Sequence, residues 1–320
     1  MCNACPRYAS PFTDYGFKRL FGQPLGREML LNFLNELLRE EQGTITQITY
    51  LNPEQQGNTP NDRRAIFDLY CQNERGERFI VEMQNTKQDY FKDRMMFYAT
   101  FPIQQQADRH RWNFELTAVY AIAILDFVFD EDQDEPDKYR YDIMLREAGH
   151  KEPFYDKLTF IYLAMPKFRK GIDELANDFE RWLYVIKNIG SLDRYPPELK
   201  GRIFRRFFDL AEVAQFDRSE HDEYQESLRV YRDLKNSFDS AIREGEQKGL
   251  QKGLSQGMAK GREIGHAEGR LEGKLEGLKE GKIEGIKEGK ILTARSMLEK
   301  GIPLATVLEV TGLDESDLQA

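Results

Sequence analysis

Asp68, Glu82 and Gln84 are the residues of this chain best suited to chemistry, because each acid stands inside an otherwise apolar run: Ala65-Ile66-Phe67-Asp68-Leu69-Tyr70 and Phe79-Ile80-Val81-Glu82-Met83-Gln84. Carboxylates are seldom placed in such runs unless something offsets their dehydration. A divalent cation is the simplest agent, since Asp and Glu oxygens are its preferred ligands. The chemistry expected is that of a cation held between Asp68 and Glu82, with the Gln84 amide beside it.

Two strands must bring these groups together. The link over residues 72–77, with Asn73 and Gly76, can fold residues 64–71 and 78–84 into an antiparallel hairpin. Period-2 alternation then predicts Ile66, Asp68 and Tyr70 on one face and Phe67, Leu69 and Cys71 on the other. On the partner strand Ile80, Glu82 and Gln84 share a face, opposite Val81 and Met83.

Around the hairpin, residues 25–40 show helical spacing at Met29, Leu30, Phe33, Leu34 and Leu37. Residues 44–51 read as a strand and 52–62 as a polar loop. A helix over 90–106 places Arg94 and Tyr98 on one face, and strands follow over 118–129, 139–146 and 158–164. Beyond Lys167 the pattern is helical, over 172–189, 197–214 and 220–242. The fold class expected is α/β, a mixed sheet flanked by helices, followed by an all-α extension.

Asp68 followed by Glu82-Met83-Gln84 resembles the PD-(D/E)XK nuclease motif in the variant that ends in Gln. Flanking pieces resemble the PD-(D/E)XK nuclease family transposases, or recombination-promoting nucleases: Asp14-Tyr15-Gly16-Phe17-Lys18-Arg19-Leu20-Phe21-Gly22, Arg94-Met95-Met96-Phe97-Tyr98, the run from Val119 to Phe127, and Met165-Pro166-Lys167-Phe168. The resemblance covers about Asp14 to Phe168. It implies a restriction-endonuclease-like fold and a metal-dependent DNA endonuclease serving recombination or transposition. Asp68, Glu82 and the Met83 carbonyl would hold Mg²⁺, with Mn²⁺ as an alternative, and Gln84 would fill the slot of the usual Lys. Two departures stand out: Gln84 carries no charge, and Phe67 replaces the nominal Pro. Lys18 or Arg94 would then supply the missing charge. Lys18 with Asp14 reads equally well as a surface ion pair, and Arg94 with Tyr98 reads either as a phosphate-positioning pair or as helix packing.

Composition sets outer limits. No apolar run approaches the roughly 20 residues that span a bilayer, and the N-terminus lacks the pattern of a secretory signal, so a cytoplasmic, bacterial-type enzyme without a membrane partner is expected. Three cysteines give no disulfide framework, and Cys2-x-x-Cys5 has no second pair at zinc spacing. His110, His150, His221 and His266 are scattered, which argues against a His-activated nucleophile. The net charge of −9 neither establishes nor excludes DNA as the partner, because acid concentrates over 130–137 while base gathers at Arg63-Arg64, over 167–170 and over 200–206.

Glycine recurs every fourth residue from Gly245 to Gly289, twelve times in all. Period four excludes collagen. The intervening Lys, Glu, Leu and Ile favour helix, but each internal Gly costs about 1 kcal/mol relative to Ala. The glycine stripe advances about 40° per repeat, so it suits either a self-associating helix, giving a homo-oligomer through the C-terminal helices, or a spacer. In the tail, Gly301, Pro303 and Gly312 punctuate a small helix–turn–helix; its Thr306, Glu309 and Thr311 suit helix pairing better than base reading. The domains expected are 1–170 nuclease-like, 171–243 helical, 244–292 repeat and 293–320 tail. A competing reading makes the chain an inactive nuclease fold or a repeat-helix protein that binds DNA or a protein partner.

Overall fold

The computed structural model describes residues 6–39, 43–55, 64–107 and 113–319, in two compact units, 1–240 and 241–320. Cys2, Cys5, Arg63, His110 and most of the loop over 52–62 lie outside the described residues.

In chain order the first unit carries α1 (Asp14–Phe17), continued by a π-helical turn (Lys18–Gly22), then α2 (Arg27–Leu37), β1 (Ile48–Tyr50), β2 (Glu54–Gln55), β3 (Ala65–Ile66), β4 (Leu69–Asn73), β5 (Arg78–Gln84), α3 (Phe91–Gln104), β6 (Val119–Leu125), β7 (Arg140–Arg146), β8 (Pro153–Ala164), α4 (Asp178–Asn188), α5 (Arg202–Ala211) and the start of α6 (Arg218–Glu299). Six strands form one mixed sheet in the order β1-β4-β5-β6-β8-β7, with β5, β6 and β8 parallel and the remaining pairs antiparallel. β6 is buried at every residue, as a strand covered on both faces must be. On one side Cys71, Phe79, Val81, Ile122 and Ile124 pack against Phe33 of α2, Trp182 of α4 and Phe207 of α5. On the other, Val119, Ala121, Ala123 and Phe160 lie beneath Phe91, Met95 and Ala99 of α3.

The β4–β5 hairpin forms where the composition of its link predicts. Asn73 accepts from the backbone N–H groups of Arg75 and Glu77, and Gly76 takes φ 78°, which a side chain would strain. The strand before it differs from expectation. Residues 64–71 are two short strands: β3 pairs with β2 in a separate two-stranded ribbon, and β4 joins the main sheet. The break falls at Phe67-Asp68, so the predicted alternation does not carry across it. Phe67 packs with Tyr70, Tyr98 and Phe101, away from Leu69 and Cys71, while Ile66 is left exposed. The physical reason is visible at Asp68, whose N–H donates to Glu82 Oε1 rather than to a neighbouring strand.

Other elements are shorter than periodicity suggested. Only Ile48–Tyr50 of residues 44–51 is strand, and 172–189 and 197–214 each yield one shorter helix, α4 and α5. β8 is longer, beginning at Pro153.

The second unit consists of the remainder of α6, which runs unbroken through all the repeat glycines, then α7 (Leu304–Thr311) and α8 (Glu315–Gln319). A Cβ added at any glycine from 245 to 289 would meet open space. Gly301 and Gly312 take φ 78° and 64° at the two helix ends. Ala294, Val307 and Leu313 form a small core there.

Candidate active site

Asp68 occupies the gap between β3 and β4, and Glu82 lies on β5 opposite that gap. Two hydrogen bonds lock the pair: the Asp68 N–H donates to Glu82 Oε1 at 3.1 Å, and the Met83 N–H donates to Asp68 Oδ2 at 2.8 Å. Glu82 is only 5% exposed. Its β5 neighbour Ile80 faces Tyr98 and Phe101 of α3, whereas Val81 faces the opposite core. The acids therefore open on the α3 side of the sheet.

Burial dominates their electrostatics. Desolvation pushes the Glu82 carboxyl well above the usual carboxylate range, and the adjacent Asp68 charge pushes it further. Asp68 is also raised, chiefly by burial, against the opposing pull of the Met83 N–H. Asp14 adds to that rise, while Lys18 and Arg94 offset part of it. Two buried carboxyls that each resist ionising are in an environment that favours a shared proton or a cation. Among the described residues no group of three His, Cys, Asp or Glu side chains forms a metal cage, so this pair would need non-carboxylate donors to complete a coordination shell.

Gln84 is engaged at both ends of its amide. Its Nε2 donates to the Thr86 carbonyl at 2.9 Å, and its Oε1 accepts from Arg94 Nη2 at 2.6 Å. Arg94 also donates through Nη1 to Gln88 at 2.6 Å and lies 5.8 Å from the Tyr98 ring centroid, while its Nε is buried without a partner. Tyr98 touches Phe67 edge-on at 5.2 Å, and its hydroxyl pKa is raised by burial and then by Glu82. Lys18 stands farther back. It pairs with Asp14 at 2.7 Å in the turn where α1 becomes π-helical, a distortion frequent at functional sites.

Beside Asp14 and Lys18 opens a cleft of about 990 Å³, walled also by Asn85 and by Asp222, Glu223 and Glu226 of α6. Two participants had escaped sequence reasoning. Gln88 steadies Arg94 from a loop with no periodic signal. Asp126 donates its N–H to the Gln84 carbonyl at 2.9 Å and accepts from the Tyr231 hydroxyl at 3.0 Å; its place directly after the buried run of β6 was the available clue.

Residues 11–241 match the PD-(D/E)XK nuclease family transposase model, and residues 287–320 match the Rpn/YhgA-like nuclease family, C-terminal HTH domain. No curated protein and no solved structure matches the chain. The first match takes in well over half the sequence, including every residue of the carboxylate site and the helices through the start of α6. Together with the mixed sheet and its acidic pair, it shows that the chain belongs to the PD-(D/E)XK nuclease family transposases, of the Rpn type.

Proposed function

We propose that the protein is a divalent-cation-dependent DNA endonuclease acting in recombination or transposition, with its site at Asp68, Glu82, Met83, Gln84 and Arg94. The single observation that carries this reading is the buried Asp68–Glu82 pair, in which burial raises both acids and the Asp68 charge raises Glu82 further. The donor set fits Mg²⁺ or Mn²⁺: two carboxylates, plus the Met83 carbonyl. In extended backbone that carbonyl points to the same side as the Met83 N–H, which already faces Asp68. A bound cation would polarise the phosphodiester and lower the pKa of an attacking water.

The protein's own residues supply the rest. Gln84 cannot carry the charge of the usual Lys, but it holds one in place by binding Arg94. Arg94 is then the group that meets phosphate charge, with Gln88 and the Tyr98 ring fixing its plane. Lys18 acts at longer range through its influence on Asp68.

Nicking of supercoiled plasmid with Mg²⁺ tests the assignment. Asp68→Ala and Glu82→Ala should each lower the rate about 100-fold or more; undiminished nicking in either sinks it. Arg94→Ala should lose most activity, and adding Gln84→Lys to that variant should restore part of it. Absence of any rescue would show that Gln84 and Arg94 do not share the role of one Lys.

A second reading concerns assembly. Leu250, Ile264, Leu271, Leu278 and Leu292, spaced in sevens or their multiples with Gly257 and Gly285 between, lie exposed along α6. They give one exposed apolar position per heptad, and we infer that this row joins copies of the chain. A lone monomer by light scattering, across micromolar concentrations, would refute this.

A further inference from the structure

An aromatic pocket of about 290 Å³ opens beside α3, lined by Tyr141, Phe160 and Tyr162 of β7 and β8, with Met96, Ile143, Lys92 and the acidic Asp132 at its walls. Nothing in the nuclease mechanism uses it. Lys92 and Met96 are four apart on α3, as are Arg94 and Tyr98, and the two pairs are offset by two residues. They therefore lie on opposite sides of the helix, about 10–12 Å apart. A chain of nucleotides held at Arg94 can reach across to this pocket.

Three lysines are tied to the acidic loop next to it, of which Lys92 lines the pocket and Lys138 lies over its Tyr141 ring. Lys87 pairs with Asp130, Lys92 with Glu131 at 2.6 Å, and Lys138 with Glu135 at 2.9 Å. Lys138 Nζ lies 4.9 Å from the Tyr141 ring centroid, and Lys92 Nζ lies 4.5 Å from that of Phe129. All three carboxylates are more than half exposed, so the pairs contribute little to folding and open readily. The half-buried Tyr141 ring, with Lys92 and Lys138 beside it, offers a stacking face next to cations, the pairing by which proteins hold single-stranded nucleic acid.

We propose that this pocket takes an unpaired base of single-stranded or locally melted DNA, and that Asp130, Glu131 and Glu135 stand in for its phosphates until the strand displaces them. The proposal rests on the nuclease reading for its substrate class. It adds a preference for unstacked DNA and a loop that competes with it.

The test is fluorescence anisotropy of the full chain with a short fluorescein-labelled oligothymidylate, in chelator to prevent cleavage, alongside a labelled blunt-ended duplex of two annealed strands. The variant D130N/E131Q/E135Q should bind the oligothymidylate about 10-fold tighter, with a slope of log affinity against log salt steeper by about two, as three lysines engage phosphates without loop acids to recapture them. Met96→Trp fills the pocket from a site 48% exposed, where the larger ring does not disturb the core. It should weaken oligothymidylate binding about 5-fold or more and leave the duplex unaffected. Ile143→Trp, from the opposite wall, should do the same. Unchanged affinity in the loop variant, or equal affinity of both tryptophan variants and wild type for oligothymidylate, overturns the proposal. So does a duplex that responds as the single strand does. Plasmid nicking by the same preparations separates the two claims: nicking with unaltered binding removes the pocket and keeps the nuclease, and altered binding without nicking does the reverse.

Discussion

Glu82 sets the protein's response to pH. Its carboxyl is raised by burial and by Asp68, so the folded state holds a proton that the unfolded chain, with an ordinary carboxylate, releases near pH 4.5. Such a group stabilises the fold below that ordinary value, and the contribution is lost as pH rises toward the elevated one. Without divalent cation, the melting temperature of wild type should therefore fall relative to that of Glu82→Gln as pH is raised from about 4 to 8. Each kcal/mol of difference should appear as about 2–4 °C. Adding Mg²⁺ should raise the wild-type value and leave the variant nearly unmoved. Parallel pH curves for the two proteins would contradict the placement of an ionisable burden on Glu82. Asp68 and Glu82 stood out in the sequence because acid in an apolar strand is a costly anomaly, and the structure brings the two together in a buried, hydrogen-bonded pair. The partnership of Gln84 with Arg94 was half legible: both residues stood out, but nothing in their spacing shows that one anchors the other.

At the scale of elements, α1 and the turn after it depend on Gly16. A Cβ there would lie 2.1 Å from the Ser10 carbonyl oxygen and 2.6 Å from Thr13 Oγ1, which caps the helix by accepting from the Gly16 N–H. Gly16→Ala should cost about 1–3 kcal/mol, measured by urea denaturation, and should loosen the Asp14–Lys18 pair, whose charges bear on Asp68. Stability within a few tenths of wild type would show that the turn relaxes at no cost. The strands β5, β6 and β8 were readable from their apolar runs, although the ends of β6 and β8 were not. The break at Asp68 was not, because residues 64–71 read as one continuous strand and the decision is made by Glu82, fourteen residues away in sequence. The lengths of α4 and α5 were overestimated because short 3-10 turns, Ile172–Glu174, Ile189–Ser191 and Val213–Gln215, flank them and keep near-helical spacing in the sequence.

Over the molecule, the glycine repeat is helical in a unit of its own, and its glycines meet nothing within the chain. Replacing Gly269, Gly273, Gly277 and Gly281 by Ala should stabilise the local helix by roughly 4 kcal/mol in total, seen as slower amide exchange over residues 265–285. If those glycines let two copies approach, the same change should drive the assembly toward monomer in light scattering. Slower exchange with unchanged mass would assign the repeat to spacing alone. The sequence displayed the repeat plainly, but period four does not by itself distinguish a seam from a strut, since both need only helix-forming residues between the glycines. Among the described residues no helix is long and apolar enough to cross a membrane, in keeping with a repeat built largely from Lys and Glu.

The lock between Asp68 and Glu82 has a practical corollary. Two main-chain amides, those of Asp68 and Met83, each spend their proton on a carboxylate oxygen of the pair. Any ion drawing on those oxygens must alter the shielding of both nitrogens. Two ¹⁵N resonances thus form an internal occupancy gauge, able to report loading of the site in the absence of DNA, turnover or an added dye.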